Sequence, residues 1–304
     1  MSLQDARIHR AGDYSLELLR EQKADTTISV CLPARNEAAT IALIVETIRT
    51  ELGTGDAALI DDLIVMDDGS TDATAAIATD AGAQVVAVDS VLPEHGTGRG
   101  KGNALWASVA ATRGDLIVWI DADLRSFTPA YVMGLVGPML DDPDVALVKG
   151  FYERPEHDGR GGGRTTELMA RPLLATLFPH LSVIRQPLGG EYAARRSILE
   201  QLPFAQGYGA ETGLLIDIAE LVGVDHIAQV DLGVRAHRNR PLHELAPQAM
   251  EVLHAALRRS DRVDATELAT LLVRADGSTA KVQVDERPPL GETPGYHGHV
   301  EGDR

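Results

Sequence analysis

The 304 residues carry a formal net charge of −17, with 44% hydrophobic and 24% charged residues. That length allows one large domain or two modest ones with a sizeable core, and the acidity argues against nucleic acid or an anionic membrane surface as a partner. A single cysteine, Cys31, excludes an internal disulfide, and no apolar run approaches the ~20 residues of a membrane helix. With no signal-peptide pattern either, the expected compartment is the cytoplasm.

Residues 1–25 are polar and mixed, an N-terminal extension in which Tyr14–Lys23 has the spacing of a short amphipathic helix. Thr27–Leu32 reads as a first strand. It stops at Pro33-Ala34-Arg35-Asn36-Glu37, a polar loop placed where a nucleotide would sit. Ala38–Leu52 follows, with Ile41, Ile44, Val45 and Ile48 on one helical face. Asp62–Met66 is a second strand, ending in Asp67-Asp68-Gly69-Ser70-Thr71-Asp72. Ser70 or Thr71 is expected to cap a helix over Ala73–Asp80, with Asp72 favourable against its dipole. Carboxylates beyond a strand also suit ribose hydroxyls or the imide groups of a base. Gln84–Val88 is a third strand. In Gly96–Leu105, GTGRGKGNAL, glycines alternate with Arg99 and Lys101 before a helix expected over Ala104–Ala111. Open backbone, cations and a helix N-terminus favour an anion there. The spacing is not that of a Walker A loop.

Leu116–Asp123, LIVWIDAD, is the most informative stretch. Its apolar run reads as a buried central strand, and it ends in charge at the carboxyl edge, where open α/β sheets bind ligands. Alternation puts Asp121 and Asp123 on one side and Ala122 on the other. Two such carboxylates suit a hard divalent cation that itself holds a diphosphate, although a solvated turn is the bland alternative.

To residue 123 the order is β-α-β-α-β-α-β, the pattern of an α/β, doubly wound, mostly parallel sheet. Beyond it, Pro129–Met139 is helical and Val145–Phe151 a strand. Asp158–Arg164 is a glycine-rich loop with two arginines, Glu167–Leu177 a helix, and Gln186–Glu191 a tight turn. Ala210–Val222 is an amphipathic helix. Ile227–Ala236 is a strand ending at His237-Arg238-Asn239-Arg240, and Leu242–Arg259 a helix. After about residue 262 the pattern decays, and Glu286–Pro294 with the closing residues reads as a loosely held tail.

Four of these loops, LPARNE (32–37), MDDGSTDAT (66–74), GKGNAL (100–105) and IDAD (120–123), resemble in order and spacing the nucleotide-sugar-dependent glycosyltransferases of the GT-A fold. The second half narrows the resemblance. VKGFYERP (148–155), GGGRTTELMARPLL (161–174), QPLGGEYAARR (186–196), PFAQGYGAETGLLID (203–217) and AQVDLGVRAHRNRPL (228–242) are similar to glucosyl-3-phosphoglycerate synthases, retaining enzymes of family 81. The mannosyl-3-phosphoglycerate synthases are the neighbouring possibility. The likeness spans roughly residues 26–245 and implies a GT-A, Rossmann-like domain over 26–262 with a helical C-terminal extension. Residues 26–125 form its nucleotide-sugar half, 126–262 its acceptor half, and 263–304 a tail.

Carried over residue by residue, the resemblance implies that Pro33, Ala34, Arg35 and Glu37 line the base and ribose, with Asp68 on the base side where the family often has Ser. Lys101 would contact the nucleotide. Asp123 and His237 would ligate Mg²⁺ or Mn²⁺, with Asp121 and Ala122 beside the sugar and ribose. Ala122 departs from the Ser of close relatives. Gly163, Arg164, Thr165 and Thr166 would bind 3-phosphoglycerate, helped by Asn239. Glu211, with Tyr208 in the same motif, would face the sugar and acceptor hydroxyls. The partners implied are a nucleotide-sugar donor, 3-phosphoglycerate and a second copy of the chain in a homodimer.

The residues support this independently. A protein at −17 must gather cations where it binds an anion with a phosphate and a carboxylate, and the Gly161–Arg164 loop offers backbone N–H groups and a forked guanidinium. The expected reaction is transfer of glucose from UDP- or GDP-glucose to the 2-hydroxyl of 3-phosphoglycerate, with retention. Two routes stand open: a double displacement, for which Glu211 is the candidate nucleophile, and a front-face route with a backbone carbonyl near Leu188 steadying the developing cation. An inverting transferase to a polyprenyl phosphate, a nucleotidyltransferase and a non-catalytic nucleotide-sugar sensor share parts of the pattern.

Overall fold

The computed structural model describes residues 7–53, 58–153, 163–235, 242–260, 271–274, 277–282 and 284–298. In chain order the first half comprises β1 (Arg7–Arg10), α1 (Leu16–Lys23), β2 (Ile28–Ala34), α2 (Ile41–Leu52), β3 (Asp62–Asp67), α3 (Thr74–Asp80), β4 (Gln84–Ala87), α4 (Gly100–Ala111) and β5 (Leu116–Trp119). The second half adds α5 (Ala130–Asp141), β6 (Leu147–Glu153), α6 (Arg171–Leu177), β7 (Tyr192–Arg195), α7 (Arg196–Leu199), β8 (Phe204–Ala205), α8 (Ala210–Val222) and β9 (Ile227–Val234). It closes with α9 (Leu242–Arg258), β10 (Leu271–Val273), β11 (Thr279–Lys281) and β12 (Glu286–Arg287).

Eight strands form the central sheet in the order β1-β9-β6-β7-β5-β2-β3-β4. All neighbours are parallel except β7, which runs antiparallel to both β5 and β6. That reversal positions the site. A strand running the other way enters the sheet at the edge where β5 and β6 end, so the turn before β7 lies beside the residues that follow β5.

Strand β5 is buried along its whole length, as its unbroken apolar run requires. Leu116 and Val118 face one core with the residues of α2 and α5, while Ile117 and Trp119 face the other with α4 and α8. Trp119 Nε1 donates to Ser108 Oγ at 2.8 Å, which satisfies its one polar atom. Cys31 lies in the second core, and burial pushes its thiol up to about 12, so it is no nucleophile at neutral pH.

Several expectations are corrected. The N-terminal extension is part of the sheet, because β1 pairs with β9 at its edge. Ser70 and Thr71 do not cap α3. Ser70 Oγ accepts from Asn36 N, Thr71 donates to Asn36 Oδ1, and Asp72 instead accepts from the Thr74 N–H. Through Ser70 and Thr71 the loop after β3 is thus tied to the loop after β2, and through Asp72 to its own helix. Helix α4 begins at Gly100, four residues before the expected Ala104. A Cβ at Gly102 would overlap the Ala205 carbonyl, so this glycine lets a helix press on β8 and does not keep a loop open. Nor is residue range 284–298 a loose tail: β12 pairs with β8, and Leu290 is fully buried in the second core.

Candidate active site

Among the described residues, those singled out from the sequence converge on the carboxyl edge of the sheet. One cleft is lined by Pro33, Ala34, Arg35, Glu37, Asp68 and Ala122. An adjoining cleft is lined by Gly163, Arg164, Thr165, Thr166, Leu188 and Glu211. Lys101, Asp121, Asp123 and Tyr208 border both. In the first cleft Asp68 N–H donates to the Ala34 carbonyl at 3.0 Å, and Arg35 Nη1 stands 3.5 Å from Asp68 Oδ2. Burial raises the Asp68 carboxyl, against the pull of Arg35. Ala122 turns its side chain into the core while its carbonyl accepts from Thr40 Oγ1 at 2.6 Å.

The shared wall is a chain of alternating charges. Lys101, in the first turn of α4, puts Nζ 2.6 Å from Asp121 Oδ1 and 2.7 Å from Glu211 Oε1. Glu211 is the second residue of α8 and is buried, so its carboxylate lies at the positive end of that helix. On the far side of Asp121, Arg235 leaves the end of β9. Its Nη2 is 3.3 Å from Asp121 Oδ2 and 2.8 Å from Asp123 Oδ1, and its Nη1 is 2.6 Å from Glu191 Oε1. Nη1 also donates to Tyr152 OH at 2.6 Å.

Titration follows from this packing. Burial disfavours the charge on Lys101, but Asp121 and Glu211 outweigh it and hold the ammonium firmly protonated. Burial alone would raise Asp121; Lys101 and Arg235 overcome that and keep its carboxyl well below the usual range. Glu191 goes the other way, with burial pushing it up to about 7 against Arg235. Lys149, in β6, is lowered by burial to about 8. Its Nζ donates to the Gly189 carbonyl at 2.6 Å and lies 4.3 Å over the Tyr192 ring. It therefore fastens the turn that carries Leu188 to the sheet edge.

The two aspartates are not equivalent, as a shared metal reading would have them. Both oxygens of Asp121 are engaged by Lys101 and Arg235. The Asp123 side chain is 44% exposed and meets Arg235 through Oδ1. A single reachable carboxylate fits an ion whose other ligands are phosphate oxygens and water. No group of three or more His, Cys, Asp or Glu is gathered for a metal among the described residues. His237 and Asn239 lie outside the described residues.

Arg235, Glu191, Tyr152 and Lys149 were not marked as site residues by the sequence reading. Lys149 had a signal, a lone cation in the apolar strand VALVKGF. Glu191 ends the GGE turn, where a Cβ on Gly190 would overlap the Asp121 carboxylate. Arg235 and Tyr152 had none, because only the crossover of β9 beside β6 brings them to Asp121.

A family model described as Glycosyl transferase family 2 matches residues 29–209. The glucosyl-3-phosphoglycerate synthase of Mycolicibacterium smegmatis is 49% identical over 281 residues, 90% of this chain and 91% of the relative. The enzyme of that name from Mycobacterium tuberculosis H37Rv is 51% identical over 263 residues, 84% and 80% of the two chains. Among solved structures, the M. tuberculosis synthase in complex with phosphoglyceric acid superposes with a TM-score of 0.86 at 46% identity, covering 94% of this chain and 98% of that one. The same protein with Mn²⁺, UDP-glucose and phosphoglyceric acid gives a TM-score of 0.85 at the same identity and coverage. It has also been solved with Mg²⁺ and UDP. The GT-A arrangement of the sheet, the cleft pair at its edge and these relatives agree: the chain belongs to the glucosyl-3-phosphoglycerate synthases.

Proposed function

We propose that this chain transfers glucose from UDP-glucose to the 2-hydroxyl of 3-phosphoglycerate, with retention at the anomeric carbon. The observation that carries the reading is the shared wall: two clefts of different chemistry meet at Lys101, Asp121 and Asp123. The Pro33–Glu37 and Asp68 cleft takes the nucleoside. Lys101 meets the diphosphate, and the Gly163–Thr166 segment takes the acceptor anion with Asn239. Asp123 and His237 are the residues that would hold Mg²⁺ or Mn²⁺, whose charge steadies the departing diphosphate. With UDP-glucose, Mg²⁺ and 3-phosphoglycerate the enzyme is expected to release UDP and form a phosphorylated glycoside. Pyrophosphate release from a nucleoside triphosphate, or a product on a polyprenyl phosphate, would overturn the reading. The homodimer belongs to the same reading, and light scattering of the purified chain tests it.

Glu211 positions hydroxyls in this reading and forms no covalent intermediate. Its Oε1 is 2.7 Å from the Lys101 ammonium, and a buried carboxylate already neutralised by so close a cation is a poor nucleophile. That leaves the front-face route, in which the departing phosphate takes the acceptor proton and the backbone near Leu188 faces the developing cation. Glu211→Gln keeps the shape and should lower kcat by ~10²-fold, the usual span for an orienting group. Mass spectrometry with a slow fluorinated donor checks it. A glycosyl adduct on Glu211 would sink the positioning role.

Arg164 selects the acceptor. It lies in the acceptor cleft and outside the nucleoside cleft. Arg164→Ala should raise the 3-phosphoglycerate KM by one to two orders of magnitude, since a lost charge-assisted contact costs about 1.5–3 kcal/mol. The donor KM should move little. Equal damage to both constants would place Arg164 on the diphosphate.

A further inference from the structure

We infer that Arg287, near the carboxyl end of the chain, is a positioning residue for donor binding. It holds the segment that leads into Lys101. The inference rests on the donor reading above.

Arg287 is buried, 7% exposed, and its guanidinium is spread over three acceptors around the start of α4. Nε donates to Asn103 Oδ1 at 2.7 Å, Nη1 to the His95 carbonyl at 2.6 Å, and Nη2 to the Gly96 carbonyl at 2.9 Å. The guanidinium also lies 5.0 Å over the Trp106 ring, and Trp106 Nε1 donates to the Pro288 carbonyl at 2.9 Å. One planar group thus ties the loop before α4 to the first and second turns of that helix. A lysine has a single point of charge and cannot reproduce that fork.

The clamp is itself anchored away from the clefts. Strand β12 pairs with β8, setting Arg287 opposite Phe204 and Glu286 opposite Ala205. Arg259 holds Glu286 at 2.6 Å and Asp217 of α8 at 2.7 Å. Gln206 continues the tie: its N–H donates to the Asp285 carbonyl at 3.0 Å, and its Oε1 accepts from Arg99 N–H at 2.9 Å. The segment from His95 to Asn103 is therefore gripped at His95, Gly96, Arg99 and Asn103, and Lys101 lies inside the gripped stretch. Three glycines lead into and open α4, at 96, 98 and 100, two of them at positive φ. An entry so rich in glycine does not fix by its own backbone preference where the first turn of α4, and with it Lys101, is placed. The tail supplies the missing restraint. Arg287 touches neither cleft, so it acts through Lys101 and Gly100, the two residues of the segment that border the nucleoside cleft.

The test uses the full chain. Arg287→Ala, Arg287→Lys and Asn103→Ala are compared for UDP affinity by calorimetry with Mg²⁺ present, for both Michaelis constants, and for hydrogen exchange of the amides of residues 97–102. In Arg287→Ala the UDP Kd and donor KM are expected to rise about tenfold, with the 3-phosphoglycerate KM within twofold and faster exchange confined to residues 97–102. Arg287→Lys should recover only part of the loss. Asn103→Ala, which leaves β12 and two of the three bonds in place, should weaken UDP in the same sense by a few-fold. If Arg287→Ala does not fold, the other two variants decide. Unchanged UDP affinity in folded variants, or an equal rise in both Michaelis constants, would overturn the inference and leave the donor reading standing. A wild-type chain that fails to bind UDP would overturn both.

Discussion

Lys101→Met is expected to lower kcat/KM by ~10³-fold or more and to destabilise the fold. Lys101 Nζ sits between Asp121 and Glu211, at 2.6 and 2.7 Å, with little exposure of any of the three. A contact from its ammonium to the donor diphosphate is charge-assisted, and losing one such bond costs about 1.5–3 kcal/mol. The same change leaves two carboxylates facing an apolar stem, so Asp121 and Glu211 lose the group that orients them. Misplacement of each reactant-facing group adds to the loss of rate. Breaking a buried pair by removing one partner costs ~3–5 kcal/mol of stability. Arg235 still compensates Asp121, which puts the expectation at the lower end of that range. Denaturant unfolding and steady-state kinetics on one preparation separate the two effects. A variant within tenfold of the parent in kcat/KM would remove Lys101 from the donor site.

Asp123→Ala is expected to abolish measurable turnover while the thermal midpoint stays nearly constant. The carboxylate is 44% exposed and its one described ion pair is with Arg235. Exposed pairs contribute about 0–1 kcal/mol. Arg235 keeps Glu191, Asp121 and Tyr152 as partners after the change, so no buried cation is stranded. In the proposed reading activity depends on this group in a different way, because Asp123 is the more exposed of the two aspartates and would hold the divalent ion beside the leaving phosphates. Chelation of the parent enzyme should mimic the variant, and excess Mn²⁺ should restore the parent only. Metal-dependent turnover surviving in Asp123→Ala would take Asp123 out of the metal site.

The contrast between these two residues lies in what surrounds them, and the sequence carried only part of it. By itself the sequence determined the α/β class, the four parallel strands β2 to β5 and the four loops that follow them. Each of those is local: an apolar run of β-branched residues, a polar stop, a helical period. The LIVWIDAD stretch announced both its burial and its edge for the same reason. Tertiary structure alone decided which carboxylate is engaged and which is reachable. Asp121 and Asp123 are two residues apart and look alike in the chain, but Arg235 arrives 112 residues later than Asp123 to distinguish them. The antiparallel entry of β7, which brings Glu191 and the Leu188 turn to the same edge, has no signature in a four-residue strand. The closing segment read as loose because it lacks periodicity. It is held by β12 on β8 and by the bonds from Arg287 to Asn103 and from Trp106 to Pro288, each spanning more than 180 residues, and pairing at such separations leaves no mark in local pattern.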